Sequence, residues 1–160
     1  MQIRPATDAD MDAIWAILEP VIREGETYAV PRTWDRAQAL AYWFDPARTV
    51  FVAADEGQIF GTYVIRANRE GGSAHVANCG YMTAPAARGK GVAQAMCAHS
   101  LAVARDRGFK AMQFNFVVST NERAVAAWTR MGFTVVGTLP GAFAHPRLGF
   151  VDAFVMYQTL

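Results

Sequence analysis

Tyr81-Met82-Thr83-Ala84-Pro85-Ala86-Ala87-Arg88-Gly89-Lys90-Gly91-Val92-Ala93 reads as a strand end, a tight turn and a helix start. Gly89 and Gly91 let the backbone curl closely around a ligand. The N–H groups of a first helical turn have no internal partners and carry partial positive charge, so phosphate is their natural guest. Arg88 and Lys90 place two formal charges at the same point. Three phosphate-loop patterns compete. The Walker string G-x-x-x-x-G-K-[ST] is absent. A dinucleotide fingerprint needs G-x-G-x-x-G, but Gln94 holds the third glycine position and no early βαβ unit surrounds it. The third pattern, R-x-x-G-x-[GA], is met by Arg88, Gly91 and Ala93. A glycine-rich turn before an ordinary helix would carry the same residues, so the rest of the chain has to decide.

With 160 residues the chain is expected to form one domain with a sizeable core. The net charge of +1 implies neither a nucleic-acid groove nor an anionic membrane surface. No apolar run reaches spanning length and no signal-peptide pattern opens the chain, which points to a cytoplasmic protein. Cys79 and Cys97 lack metal or redox spacing and read as buried thiols in a reducing compartment. His75, His99 and His145 have no metal-ligand company, so no metal is expected.

Outward from the opening stretch, the pattern predicts eleven elements. Gln2 to Pro5 is a short strand. Thr7 and Asp10 cap a helix from about Asp8 to Arg23, where Met11, Ile14, Trp15, Leu18 and Ile22 recur at helical spacing and Pro20 kinks it or splits off its last turn. A second helix runs from Thr33 or Asp35 to about Phe44. Thr49 to Ala54 and Ile59 to Ala67 form a hairpin. Ala74 to Thr83 is a strand leading into the turn, followed by a helix to about Arg107 that Gly108 ends. Ala111 to Val118 is a strand, and Ser119, Thr120 or Asn121 caps a helix to about Met131. Phe133 to Thr138 is a strand, Leu139 to Leu148 a loop, and Gly149 to Gln158 the last strand. The order is βααβββαβαββ, an α+β chain rather than a repeating doubly wound one.

Arg88 to Ala93, that element order, and Asn121, Ala124, Val125, Trp128, Gly132 and Phe133 together resemble the GNAT superfamily of N-acetyltransferases over essentially the whole chain. Ala127 departs from the pattern, being small where an aliphatic residue is usual. The resemblance implies a mixed, mostly antiparallel sheet of about seven strands with flanking helices, and acetyl-CoA as co-substrate. Arg88, Gly89, Lys90, Gly91, Val92 and Ala93 would hold the pyrophosphate. Two central strands would splay to admit the pantetheine arm, and a bulge near Tyr81 and Met82 would free a backbone N–H for the acetyl oxygen. Tyr81, Met82 and Thr83 would line the arm, with Asn121, Ala124 and Trp128 across it. A helix cap is the bland reading of Asn121. Many members carry a tyrosine at the Trp128 position to protonate the departing thiolate. An indole N–H donates a hydrogen bond but is no usable acid.

The acceptor is read from Asn78 and Asn115, two amides in strand segments where asparagine is depleted. Each can donate and accept, which suits a small polar amine, although they could equally bond each other or backbone across the splay. Phe114 to Val117, Val136 to Phe143, His145-Pro146 and Gly149 to Ala153 resemble the fungal and bacterial acetyltransferases of proline analogues such as azetidine-2-carboxylate. In that clade residues matching Asn78 and Asn115 contact the acceptor. Glu26 and Tyr28, with Glu24, sit in a loop expected to cover it. Glu26, Asp152 and Tyr157 are the candidate bases, none compelling. The expected activity is direct transfer of acetyl to a small-molecule amine, an amino acid or analogue. The alternatives are a drug-like amine, a polyamine, a protein N-terminus, or a non-catalytic acyl-CoA sensor. A homodimer is the assembly that the resemblance carries.

Overall fold

The computed structural model describes residues 1–160. It contains β1 (Gln2–Pro5), α1 (Met11–Glu24), α2 (Arg36–Trp43), β2 (Thr49–Asp55), β3 (Gln58–Ala67), β4 (Val76–Thr83), α3 (Val92–Asp106), β5 (Ala111–Val118), α4 (Glu122–Arg130), β6 (Thr134–His145) and β7 (Gly149–Thr159). The strands form one sheet in the order β1-β2-β3-β4-β5-β7-β6. Every pairing is antiparallel except β4 with β5. This is the α+β architecture and element order expected.

The helix boundaries follow local chemistry. The Thr7 N–H donates to the Asp10 carboxylate at 2.7 Å, closing a short 3-10 turn that leads into α1. Pro20 does not split off the last turn: α1 runs through it to Glu24 and stops at Gly25, whose φ of 65° is left-handed. Packing of Ile14, Ile17, Leu18, Val21 and Ile22 outweighs the lost backbone bond. Asp35 caps α2 by accepting from the Gln38 N–H. Glu56 and Gly57, both at positive φ, make the two-residue turn that joins β2 to β3.

Because side chains alternate across a strand, the sheet has two buried faces. Tyr63, Ile65, Ala77, Cys79, Met112, Phe114 and Met156 pack with Met96, Cys97 and Leu101 of α3 and with Trp128 and Phe133. Val50, Val52, Val64 and Met82 pack with Ile14, Leu18 and Trp43 from α1 and α2. Thr62 is buried on that second face, where it accepts from the Trp43 indole and donates to the Phe51 carbonyl.

One expected loop is a strand. β6 continues from Thr134 to His145, leaving only Pro146 to Leu148 as the turn into β7. Pro140 is tolerated because β6 is the sheet edge, where a missing N–H costs no ladder bond. A register shift between Leu139 and Phe143 absorbs Pro140 and Gly141, and the Gly141 N–H finds the Asp152 carboxylate at 2.8 Å.

The start of α1 rests on a buried charge. Arg4 forks onto both Asp10 oxygens at 2.7 and 2.8 Å, and Asp10 is only 6% exposed. The hydrogen bonds from Arg4 outweigh desolvation and hold the Asp10 carboxyl well below the usual carboxylate range. A depressed carboxyl stabilises the fold above its unfolded pKa, and that contribution is lost as pH falls. Asp10→Asn is expected to cost about 1–3 kcal/mol at pH 7 in urea denaturation. The gap to wild type should close as the pH is taken below about 4.

Candidate active site

β4 and β5 are joined only at their beginnings, by Val76 with Ala111 and Ala77 with Met112. Beyond those pairs they part. The chain directions explain what the gap exposes. The His75 carbonyl accepts from Lys110 on the β5 side, whereas the Ala84 N–H donates to Phe60 on the β3 side. By strand alternation, the backbone groups of Cys79, Tyr81 and Thr83 turn toward the gap. The bulge expected near Tyr81 and Met82 is absent: β3 and β4 stay in register from Gly61 with Thr83 to Ala67 with Ala77. The irregularity lies in β5 instead, between Phe114 and Val117. β4 needs no extra residue to free its edge, because β5 turns away from it.

The gap opens into a cavity of about 1270 Å³ that reaches both sides of the sheet. At one end is the anion cradle. Gly89 and Gly91 have φ of 80° and 76°, and open space lies where a Cβ would stand on either. Gly91 caps α3, and its carbonyl receives the Ala95 N–H, so Val92, Ala93 and Gln94 present N–H groups without helical partners. Arg88 is half exposed and pairs with Glu24 at the end of α1, at 3.0 Å. Lys90 lies exposed in the same turn. Two left-handed glycines, free N–H groups and two cations form a donor set that fits a diphosphate.

Along the gap, Tyr81 contributes backbone rather than phenol. Its ring crosses to the α3 face, where the hydroxyl meets Ser100 Oγ at 2.7 Å and the ring lies 4.9 Å from Trp128. Burial raises that phenol well above its ordinary range. The Tyr81 carbonyl accepts instead from the Tyr28 hydroxyl, which reaches in from the other face at 3.1 Å. Met82 points into the α1 and α2 core, and Thr83 lines the cavity. Asn121 caps α4 by accepting from the Ala124 N–H at 3.3 Å, so the bland reading of its carbonyl oxygen holds while its NH2 group stays unengaged. Ala124 and Trp128 line the cavity behind it.

The far end carries the amides. Asn78 donates across the splay to the Gln113 carbonyl at 2.9 Å. Asn115 donates to Asn68 at 2.7 Å and accepts from the Gln113 side chain at 2.9 Å. Asn78 thus bonds backbone across the splay, whereas Asn115 bonds neither Asn78 nor backbone but two other side chains; both also face the cavity. Glu26 lines this end, tied to Arg147 at 2.8 Å and lying 4.0 Å from the buried His145. Asp152 and Tyr157 do not line it. Arg48, Arg66, Tyr42 and Phe116 do, and of these only Phe116 lies in a stretch that the resemblance covers. Arg66 had a legible signal, as a charge inside the apolar run of Ile59 to Ala67.

The family model described as the acetyltransferase (GNAT) family matches residues 12–133. The chain is similar to a GCN5-related N-acetyltransferase from Kribbella flavida, 42% identical, with a TM-score of 0.95 over 99% of this chain and 97% of that one. It is 28% identical to a ribosomal-protein-alanine N-acetyltransferase from Brucella melitensis, with a TM-score of 0.84 and all of both chains covered. It is also 28% identical to N-acetyltransferase aca1 of Schizosaccharomyces pombe (strain 972 / ATCC 24843), over 86% of this chain and 73% of the relative. The chain belongs to the acetyltransferase (GNAT) family. It is thereby an acyltransferase; two solved structures of the same fold, from Salmonella typhimurium and Sinorhizobium meliloti, carry acetyl-CoA.

Cys79 sits beside Asn78 in β4 but is no nucleophile in waiting. Burial pushes its thiol up to about 12, and that of Cys97 likewise to about 12. Attack requires thiolate. Iodoacetamide at pH 8 should therefore label neither cysteine in the folded protein and both in urea, read by intact mass. Labelling of native Cys79 within minutes would refute its burial.

Proposed function

We propose that the enzyme moves the acetyl group of acetyl-CoA directly to the amine of a small acceptor, an amino acid or close analogue, within a ternary complex. One observation carries this reading. The anion cradle and the Asn78–Asn115 amides share a single cavity, joined through the gap between β4 and β5. A coenzyme entering at the cradle and an acceptor entering from the opposite face would meet beside Tyr81.

The co-substrate, when bound, supplies an activated thioester. Arg88 leaves Glu24 for the diphosphate, and the backbone of Gly89 to Ala93 completes the cradle. The backbone groups of Tyr81 and Thr83 turn into the gap and offer donors to the arm and the acetyl oxygen, a preorganised dipole set. The free NH2 group of Asn121 bonds the arm, and Ala124 and Trp128 wall it from water. Asn78 and Asn115 orient the amine, already locked by Gln113 and Asn68. Glu26 and Tyr28 close the acceptor side. Burial raises the Tyr28 phenol far above neutrality, so it donates hydrogen bonds and does not act as a base. Trp128 provides no acid, and the thiolate takes its proton from water.

A peptide N-terminus is the second reading, favoured by the full-length similarity to the Brucella protein. A homodimer is also part of the proposal. β6 leaves the sheet edge open, and Leu148 and Phe150 at the β6–β7 turn are 62% and 80% exposed.

Thiol release from acetyl-CoA across a panel of amino acids and an Ala-led peptide tests the activity. Asn78→Ala and Asn115→Ala are each expected to lower kcat/KM for the acceptor roughly 10-fold or more, with KM for acetyl-CoA unchanged. Arg88→Ala should do the reverse, raising KM for acetyl-CoA about 10-fold. Tight coenzyme binding with no turnover of any amine would sink the enzyme reading.

A further inference from the structure

Arg48 and Arg66 line the acceptor end of the cavity, and neither has an ion-pair partner. The Nε of each is buried without a hydrogen-bond partner. Arg48 spends one N–H on the Tyr42 carbonyl at 2.8 Å and lays its guanidinium over the Tyr42 ring, 4.0 Å from the centroid.

Sheet register puts these groups in one row. Arg66 pairs directly with Asn78. The β2–β3 ladder ends with Val50 opposite Val64 and Thr49 opposite Ile65, and Arg48 and Arg66 are the next residues on either side of that end. Val50, Val64 and Met82 of the same face pack under α1 and α2, so the row Arg48–Arg66–Asn78 lies on the acceptor side of the sheet. Two like charges at the same end of a ladder repel one another. A buried guanidinium N–H without an acceptor is worse, since its desolvation is not compensated. The cavity's own carboxylates do not relieve it. Glu24 is held by Arg88 and Glu26 by Arg147, and Glu122 is exposed at the start of α4.

Two cations with idle donors, beside an amide, describe an anion site. We infer that Arg48 and Arg66 bind the carboxylate of the acceptor, so that the enzyme selects α-amino or imino acids and rejects their amides and peptide N-termini. The inference rests on the acetyl-transfer reading above, and it gives that site its specificity. Asn78 lies three residues before Tyr81 in β4, about 10 Å along the strand. An arginine side chain and an α-amino acid together span that distance. With the carboxylate at the two guanidinium groups, the amine one carbon away lies between Asn78 and the Tyr81 backbone. A peptide N-terminus has no carboxylate there and would leave both Nε groups unpaired.

The test compares each amino acid with its own C-terminal amide, and with an Ala-led peptide, as acceptors for wild type, Arg48→Gln, Arg66→Gln and Arg66→Lys. Wild type is expected to prefer the acid at least 10-fold in kcat/KM. Arg66→Gln should cut the acid roughly 10- to 100-fold, leaving the amide and KM for acetyl-CoA unchanged. Arg66→Lys keeps the charge without the fork and should fall between; far-UV circular dichroism confirms that each variant folds. Equal use of acid and amide by wild type, or equal loss of both in the variants, overturns the inference while leaving the acetyltransferase reading intact. If no amine is turned over, that reading fails instead. Calorimetry of coenzyme A-loaded protein with N-acetyl amino acids against their amides then decides the anion site. Acid-selective binding lost in Arg66→Gln supports it, and unselective or absent binding overturns it.

Discussion

Only Val76 with Ala111 and Ala77 with Met112 hold β4 against β5. Everything functional in the molecule depends on how short that contact is. A sheet that separates in its middle exposes backbone donors and acceptors that must find other partners. The Tyr28 hydroxyl takes the Tyr81 carbonyl, and the Asn78 amide takes the Gln113 carbonyl. The remaining groups on that edge of β4 face the cavity. The gap is affordable because the strands on either side are firmly held, β4 by an unbroken register with β3 and β5 by β7.

The two helical layers divide the work. The α3 and α4 side buries a stacked aromatic cluster in which Phe114 lies 4.1 Å from Phe133 and 5.4 Å from Trp128. That packing fixes α4 over the gap and aims the α3 N-terminus at its mouth. The α1 and α2 side is polar where it meets the gap. Arg48, Arg66, Tyr28 and the amides gather there, and Glu24 at the end of α1 reaches across to Arg88. The loop after α1 is pinned by Glu26 to the β6–β7 turn through Arg147. Cradle and acceptor end are thus coupled through the same short segment.

Local features were the legible ones. Positive-φ glycines before an apolar helix identify the cradle, because the conformations that need them are set within a few residues. Asn121 was legible as a cap for the same reason, although a cap and a ligand contact look alike in sequence. The strand from Thr134 to His145 was not, since Pro140 and Gly141 read as a loop unless the strand is known to lie at an edge. Nor was the placement of the Tyr81 ring, which packs against Ser100 and Trp128 and leaves only its backbone toward the gap.

The sequence by itself determined the family, the order of elements and the diphosphate cradle, because each is written in contiguous residues whose spacing carries the physics. Only the tertiary structure decided what lines the far end of the cavity. Arg66 and Asn78 come from two strands that register makes neighbours, and Arg48 reaches the same place from the turn that leads into β2. The hydroxyl of Tyr28 meets a carbonyl 53 residues away. Whether a buried arginine has a carboxylate beside it is a property of the packed sheet, and no reading along the chain can count partners that arrive from elsewhere in it.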